Sequence, residues 1–339
     1  MGGFDGPPDT RHRSTAAECE TLRMRRLRWS VLLLTSLTMA ASCGQSSDVG
    51  PVADAPTTTE GAPATTATNP SVSDDTDSAP ADPNSTDDQS EPPVVWWPTP
   101  LAELDPSSPP TWSIEVVTTA PHDPEAFTQG LELLDDGRLL ESTGIRGQSD
   151  VRIVDRSSGL VDDRRPLEPE EFGEGLTVVD ETVLQLTWQA GVARRWTLPE
   201  LDPLPSFTYE GEGWGLCLLD DRLAMSDGSS TLQWRDPSTF ELLATVDVTR
   251  AGEPIELINE LECIDGHVVA NIWKSSEVVI ISPTGAVVAT IDASDLVAII
   301  ASNEPERAVL NGIAAHPDGT FSMTGKLWPT RFLVRVVER

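Results

Sequence analysis

Positive charge is scarce in this 339-residue chain: 23 Lys and Arg stand against 55 Asp and Glu, a formal net charge of −32. Nucleic acid is thereby excluded as a partner, because gripping phosphates takes clustered cations. The excess acid suits the solubility of an exported protein. Tyrosine is nearly missing, at one residue with 7 Phe, yet there are 10 Trp. Aromatic surface is therefore concentrated in indoles, which wall pockets as well as fill cores. The four histidines, His12, His122, His267 and His316, fall in the leading segment or in turns, so no Ser–His–Asp set is in sight. His and Cys do not fall at metal-ligand spacings either. The pentad "GEGWG" (211–215) is too short for a phosphate loop and precedes a strand-like run rather than a helix. The apolar run from Trp29 to Ser42 is shorter than the ~20 residues that span a bilayer.

That run belongs to an export segment, residues 1–43. "MRRLRWSVLLLTSLTMAASC" (24–43) has a basic front, an apolar middle and small residues ending in Cys43. Ala40-Ala41-Ser42-Cys43 resembles a bacterial lipobox, which implies lipidation of Cys43 and anchorage to the outer face of the cytoplasmic membrane. Ordinary cleavage after a small residue is the alternative. Arg25-Arg26 resembles a twin-arginine signal, and Met24 is an alternative start. Residues 44–110 read as a disordered linker, with 12 acidic residues, no Lys or Arg, and many Pro, Thr, Ser and Ala. Their 67 residues give a reach of roughly 45 Å, enough for a stalk. "VVWWP" (94–98) breaks the polarity, so Trp96 and Trp97 are candidates to pack on the folded domain. Past Cys43 only Cys217 and Cys263 remain. Export permits a disulfide, but two buried free thiols are the expected state.

From Thr111 onward the pattern is all-β: short apolar runs alternate with turn signals such as "DDG", "SSG", "DPST" and "HPDG". "DASDLVAIIAS" is the one candidate for a short helix. A triplet recurs: Gln129-Gly130-Leu131, Glu174-Gly175-Leu176, Trp214-Gly215-Leu216, Asn259-Glu260-Leu261 and Asn311-Gly312-Ile313, at spacings of 45, 40, 45 and 52. A second short strand follows each triplet: "LLESTG", "VLQLTW", "LAMSDG", "VVANIW" and "FSMTGK". Period and strand count describe propeller blades. Residues 111–339 are thus expected to form a five-bladed β-propeller, with "WSIEVVTT" (112–119) pairing with the C-terminal strands so that no edge stays open.

In that arrangement the triplets bring Gln129, Glu174, Trp214, Asn259 and Asn311 toward one axis, and the neighbouring glycines let the strands crowd there. The second strands add Trp188, Trp273 and Lys326. One acid, several amides and one cation then share an indole-walled pocket. Trp196, Trp234 and Trp328 read as packing. Asn311 either joins the site or only satisfies its neighbours' hydrogen bonds.

The motifs "PHDPEAFTQGLELLDDGRLLESTG", "FGEGLT", "QLTW", "GEGWGL", "SDGSSTL", "LINELE", "ANIW", "LNGIA" and "TGKLWP" occur in register over 115–337. Together they resemble the plant and bacterial glutaminyl-peptide cyclotransferases. The resemblance implies closure of N-terminal glutamine to pyroglutamate with loss of ammonia. It implies Glu174 as general acid/base, with Asn259, Gln129 and Lys326 as donors to the oxyanion. Trp188, Trp214, Trp273, Phe127 and Phe172 would hold the substrate. Phe127 stands where the family often has Tyr, and Cys217 where Thr is usual; neither removes a polar group from this chemistry.

No cofactor is required by such a reaction, although a structural cation in the channel is allowed, held by backbone carbonyls and water. The partners expected are peptides or proteins with N-terminal Gln and, through Cys43, a membrane; the enzyme is expected to act as a monomer. A non-catalytic cell-surface propeller that binds peptides or glycans is the rival reading, since fold alone proves no activity. A deamidating hydrolase is disfavoured by the want of a His or metal to activate water.

Overall fold

A computed structural model describes residues 94–300 and 306–339 of the chain. The expectations for export, for lipidation of Cys43 and for the linker up to residue 93 lie outside the described residues. The described residues are all-β, with one short helix. Strand β1 is Thr111–Pro121. Next come β2 (Thr128–Leu133), β3 (Leu139–Thr143), β4 (Asp150–Val154) and β5 (Val161–Pro166), one antiparallel sheet in chain order. A second such sheet holds β6 (Gly173–Val179), β7 (Thr182–Thr187), β8 (Val192–Thr197) and β9 (Pro203–Thr208). A third holds β10 (Leu216–Leu219), β11 (Arg222–Met225), β12 (Thr231–Arg235) and β13 (Leu242–Asp247).

After a two-residue pair, β14 (Thr249–Arg250) and β15 (Glu253–Pro254), come β16 (Ile258–Ile264), β17 (His267–Ile272), β18 (Glu277–Ile281) and β19 (Val287–Asp292). The helix α1 (Ser294–Ile299) falls within the one segment that read as helical. The last strands are β20 (Leu310–Ala315), β21 (Phe321–Gly325) and β22 (Thr330–Val337). As expected, β1 pairs antiparallel with β22, from Ser113 opposite Val337 to Pro121 opposite Thr330. It also runs parallel to β19, joining β16–β19 and β20–β22 into one eight-stranded sheet.

Strands β2, β6, β10, β16 and β20 lean on one another in cyclic order, with β20 returning to β2. The architecture is β-propeller-like. Its interior strands are covered on both faces: every residue of β3 and β4 is buried, including the polar Glu141, Ser142, Thr143, Asp150 and Arg152. The outermost strands β5, β9 and β13 are mostly exposed, and charges such as Asp162, Asp163, Arg164 and Arg165 mark β5 as a protected edge. Separate apolar layers fill the gaps between sheets. Leu140, Ile153, Leu176 and Val183 belong to one, and Leu184, Leu186, Leu216 and Leu223 to the next.

Two expectations are corrected. Residues 94–110, read as linker, are folded against the body. Trp97 is buried, stacks on Trp112 with centroids 6.1 Å apart and donates its indole N–H to Asp265 at 3.0 Å. Leu101 is buried in a short 3-10 turn, Leu101–Glu103. Their apolar surface outweighs the polar composition around them. Cys217 and Cys263, expected as free thiols, form a disulfide with a Cα–Cα distance of 5.5 Å. They stand on β10 and β16, neighbouring inner strands that the cyclic packing brings together.

The bridge closes a span of 46 residues, worth about 4 kcal/mol of unfolded-chain entropy. The Cys217→Ser/Cys263→Ser double variant is expected to lose stability of that order in denaturant titrations. An unchanged midpoint, in the variant or after reduction, would contradict the bridge.

Candidate active site

The inner strands break register at the recurring triplet. The shifts fall between Thr128 and Gly130 in β2, Gly173 and Leu176 in β6, Ile258 and Leu261 in β16, and Leu310 and Ile313 in β20. A bulge bends the strand and re-aims the extra side chain; here those side chains are Gln129, Glu174, Asn259 and Asn311. Glycine permits the approach. A Cβ on Gly175 would lie 2.7 Å from backbone atoms of Trp214, Gly215 and Leu216, and Gly312 adopts φ +111°. A second repeated feature stands opposite. Trp188, Trp273 and Lys326 are each the first residue past the second strand of their group. Each donates its backbone N–H at 2.9 Å to the residue two before the triplet: Phe172, Leu257 and Val309.

These devices converge on one cavity of about 180 Å³, lined by Phe127, Gln129, Phe172, Glu174, Trp188, Trp214, Asn259, Trp273 and Lys326. All nine residues expected at the site from sequence are therefore brought together. The walls interlock edge to face: Phe127 with Phe172 at 5.9 Å, Phe172 with Trp188 at 5.7 Å, and Trp214 with Trp273 at 5.6 Å. Trp196, Trp234 and Trp328 are buried in the packing.

Inside the walls a relay of amides holds the acid. Asn311 donates to the carbonyl of Thr128 at 3.0 Å and to Gln129 Oε1 at 3.3 Å, and Gln129 Nε2 donates to Glu174 Oε1 at 3.1 Å. Asn311 thus orients Gln129, and one Gln129 N–H, expected for an oxyanion, is committed to Glu174. Asn259 is 2% exposed, and its Oδ1 meets no partner among the described residues. Lys326 is 4% exposed, with Nζ 5.1 Å from the Phe127 ring centroid. Among the described residues it has no carboxylate within salt-bridge distance.

Burial decides the protonation states. Glu174 is raised well above the usual carboxyl range, chiefly because it is desolvated; Lys326 opposes this, and the charge of Glu212 adds to it. Desolvation likewise pulls Lys326 down to about 8, against the attraction of Glu174 and Glu260. The indole environment wins over the ammonium, and a protonated acid beside a lysine that titrates near 8 is poised for proton transfer at neutral pH.

Other participants escaped the sequence reading. Glu212, in "GEGWG", accepts the indole N–H groups of Trp188 at 2.7 Å and Trp214 at 3.1 Å. Its flanking glycines repeat the Gly-Glu-Gly pattern of Glu174, the one signal that singled it out. Arg146 lies over the Trp188 ring, Lys274 over Trp273 and Arg307 over Phe127. His122, read as a turn residue, is buried, and its ring nitrogens bond the Trp328 carbonyl and Glu141. That anchors the segment carrying Lys326 to β3. Among the described residues no group of three or more His, Cys, Asp and Glu converges as a metal site.

A β-propeller-like protein with an aromatic pocket around a buried acid at its hub is the class that this fold defines. The family model for glutamine cyclotransferase matches residues 94–336, and the chain belongs to that family. It is 38% identical over 227 residues to the glutaminyl-peptide cyclotransferase of Arabidopsis thaliana, covering 66% of this chain and 71% of the relative. The crystal structure of Myxococcus xanthus glutaminyl cyclase superposes with a TM-score of 0.64 at 40% identity, over 68% of this chain and all of that one. The enzymic class is glutaminyl-peptide cyclotransferase.

The burial of Glu174 has a stability consequence of fixed sign. Its folded-state pKa lies above the unfolded value of 4.5, so the folded state binds more protons above that pH and loses stability as pH rises. Glu174→Gln keeps an acceptor for Gln129 but cannot ionise. The variant is expected to match the parent in Tm near pH 4 and to exceed it increasingly toward pH 8. A Tm difference that is flat with pH would show the carboxyl to be ionised in the fold.

Proposed function

We propose that the chain is a five-bladed β-propeller glutaminyl-peptide cyclotransferase that cyclises N-terminal glutamine with Glu174 as general acid/base. The observation that carries this is a buried, proton-holding carboxyl sharing one small aromatic cavity with Lys326 and Asn259. Five groups of strands and the five recurring triplets support the blade count.

The substrate's neutral α-amine attacks its own side-chain carboxamide carbon. A C–N bond forms, the carbonyl oxygen takes negative charge, and the amine nitrogen has a proton to shed. The reactants belong to one residue, so holding a single rotamer between indole walls supplies most of the proximity. Lys326 stabilises the oxyanion. Glu174 gives its proton to the departing amide nitrogen and takes one from the ring nitrogen, so ammonia leaves and the carboxyl is restored. The orphan Oδ1 of Asn259 accepts an N–H from the substrate, which relieves a buried unpaired acceptor worth about 1–3 kcal/mol. These steps use the chain's own residues and require no cofactor.

A binding module has use for the tryptophans but none for a buried acid beside a buried lysine. The basic and apolar segment ending at Cys43 supports export with a lipid anchor, and the Cys217–Cys263 bridge suits an oxidising compartment. The enzyme acts there as a monomer on peptides or proteins with N-terminal Gln.

Incubating the full chain with a Gln-initiated peptide is expected to release ammonia with a peptide mass loss of about 17 Da, the mass of the NH₃ expelled in cyclisation. Glu174→Gln should lower kcat by about 10²–10⁴, and Lys326→Met by about 10²–10³. The pH profile of kcat/KM should rise as the substrate amine loses its proton near ~7.7–8.0. It should fall again as Lys326 loses its charge at about 8. Folded protein without turnover above blank would sink the reading.

A further inference from the structure

We propose that Glu212 is a positioning residue of the pocket, whose carboxylate pins the Trp188 and Trp214 walls together and sets a negative charge beside Glu174. The inference rests on the cyclotransferase reading for its effect on rate, but the clamp itself does not.

One oxygen, Oε2, accepts both indole N–H groups, at 2.7 Å from Trp188 and 3.1 Å from Trp214. The other oxygen accepts Gln189 Nε2 at 3.0 Å. Gln189 in turn accepts Arg146 at 3.2 Å, and the Arg146 guanidinium lies 5.4 Å over the Trp188 ring. Arg146 follows β3, Trp188 and Gln189 follow β7, and Glu212 and Trp214 precede β10. The clamp therefore spans the loops of three successive sheets. An indole has a single polar atom, so a shared acceptor sets how far each ring tilts into the cavity. Trp214 lies just before its strand and passes its orientation to Trp273 through their edge contact. Glu212 is partly exposed and three hydrogen bonds outweigh its burial, so it stays ionised at neutral pH.

The groups that act on Glu174 are Lys326, which favours its ionisation, and Glu212, which opposes it; Tyr209 feels the Glu174 charge, and Glu260 bears on Lys326. Removing the charge of Glu212 therefore eases ionisation of Glu174, and Glu174 ceases to be an acid at lower pH.

Two variants separate geometry from charge. Glu212→Gln retains an acceptor for the indoles and discards the charge; Glu212→Ala discards both. In ¹H–¹⁵N spectra, with Trp188 and Trp214 assigned through Phe replacements, the Ala variant should move both indole N–H resonances upfield, and the Gln variant should leave them near their parent positions. On a Gln-initiated peptide the Ala variant should lose about 10- to 100-fold in kcat/KM, mostly through KM. The Gln variant should recover most of that loss, and its Tm should fall less steeply than the parent's between about pH 5 and 8, because Glu174 ionises more readily once the charge of Glu212 is gone. Indole resonances unmoved in Glu212→Ala would overturn the clamp. Moved resonances with kcat/KM within twofold of the parent would overturn its catalytic relevance. A parent chain inactive on the peptide defeats the cyclotransferase reading instead, and leaves the resonances to decide the clamp.

Discussion

Everything at the hub depends on backbone meeting backbone where inner strands crowd together. The Gly175 N–H donates to the Trp214 carbonyl at 2.7 Å, across two sheets. Ser226 Oγ donates to the Asn259 carbonyl at 2.6 Å while accepting from Gly215 at 2.7 Å. Glu260 accepts from Leu131 at 3.3 Å and from Ile313 at 3.1 Å, tying β16 to β2 and β20. A Cβ at Gly130, Gly175 or Gly215 would meet the backbone of the next strand within 2.7 Å, which is why glycine flanks the polar residues there; at the equivalent place in β16 the gap is filled by the Glu260 carboxyl. The residue that the bulge leaves unpaired must point along the axis.

Crowding also accounts for the electrostatics. Carboxyls pushed to the centre lose water without gaining, among the described residues, a cation at contact distance. Glu260 is held up to about 8 and Glu174 is raised well above its ordinary range, both chiefly by burial. Such groups cost stability at neutral pH. Apolar layers between the sheets and the Cys217–Cys263 staple offset that cost. A rigid ring can keep an acid protonated and a lysine near its titration point, where a flexible site would relax and admit water.

The pocket walls follow a different logic. Trp188 and Trp273 stand at the same place in their sheets as Lys326 does in its own, fixed by the same backbone hydrogen bond. Repetition of one structural unit thus yields an aromatic wall in two copies and a cation in a third, and substitution at a repeated position built the site. Cations from the loops lie over the rings of Trp188, Trp273 and Phe127: Arg146, Lys274 and Arg307.

The recurring triplet and its trailing strand were legible because a repeated unit must place equivalent residues at equivalent points, so Glu174, Asn259, Lys326 and three tryptophans could be gathered from spacing alone. By itself the sequence determined the strand pattern, the repeat period and the members of the cavity. Only the tertiary structure decided that Cys217 meets Cys263, that Gln129 serves Glu174, and that Glu212 grips two indoles. The first two contacts span about one repeat, 46 and 45 residues, but the period brings positions together without choosing which side chains bond. They form because closing the ring carries distant residues to within a few ångströms, a distance that no local pattern encodes.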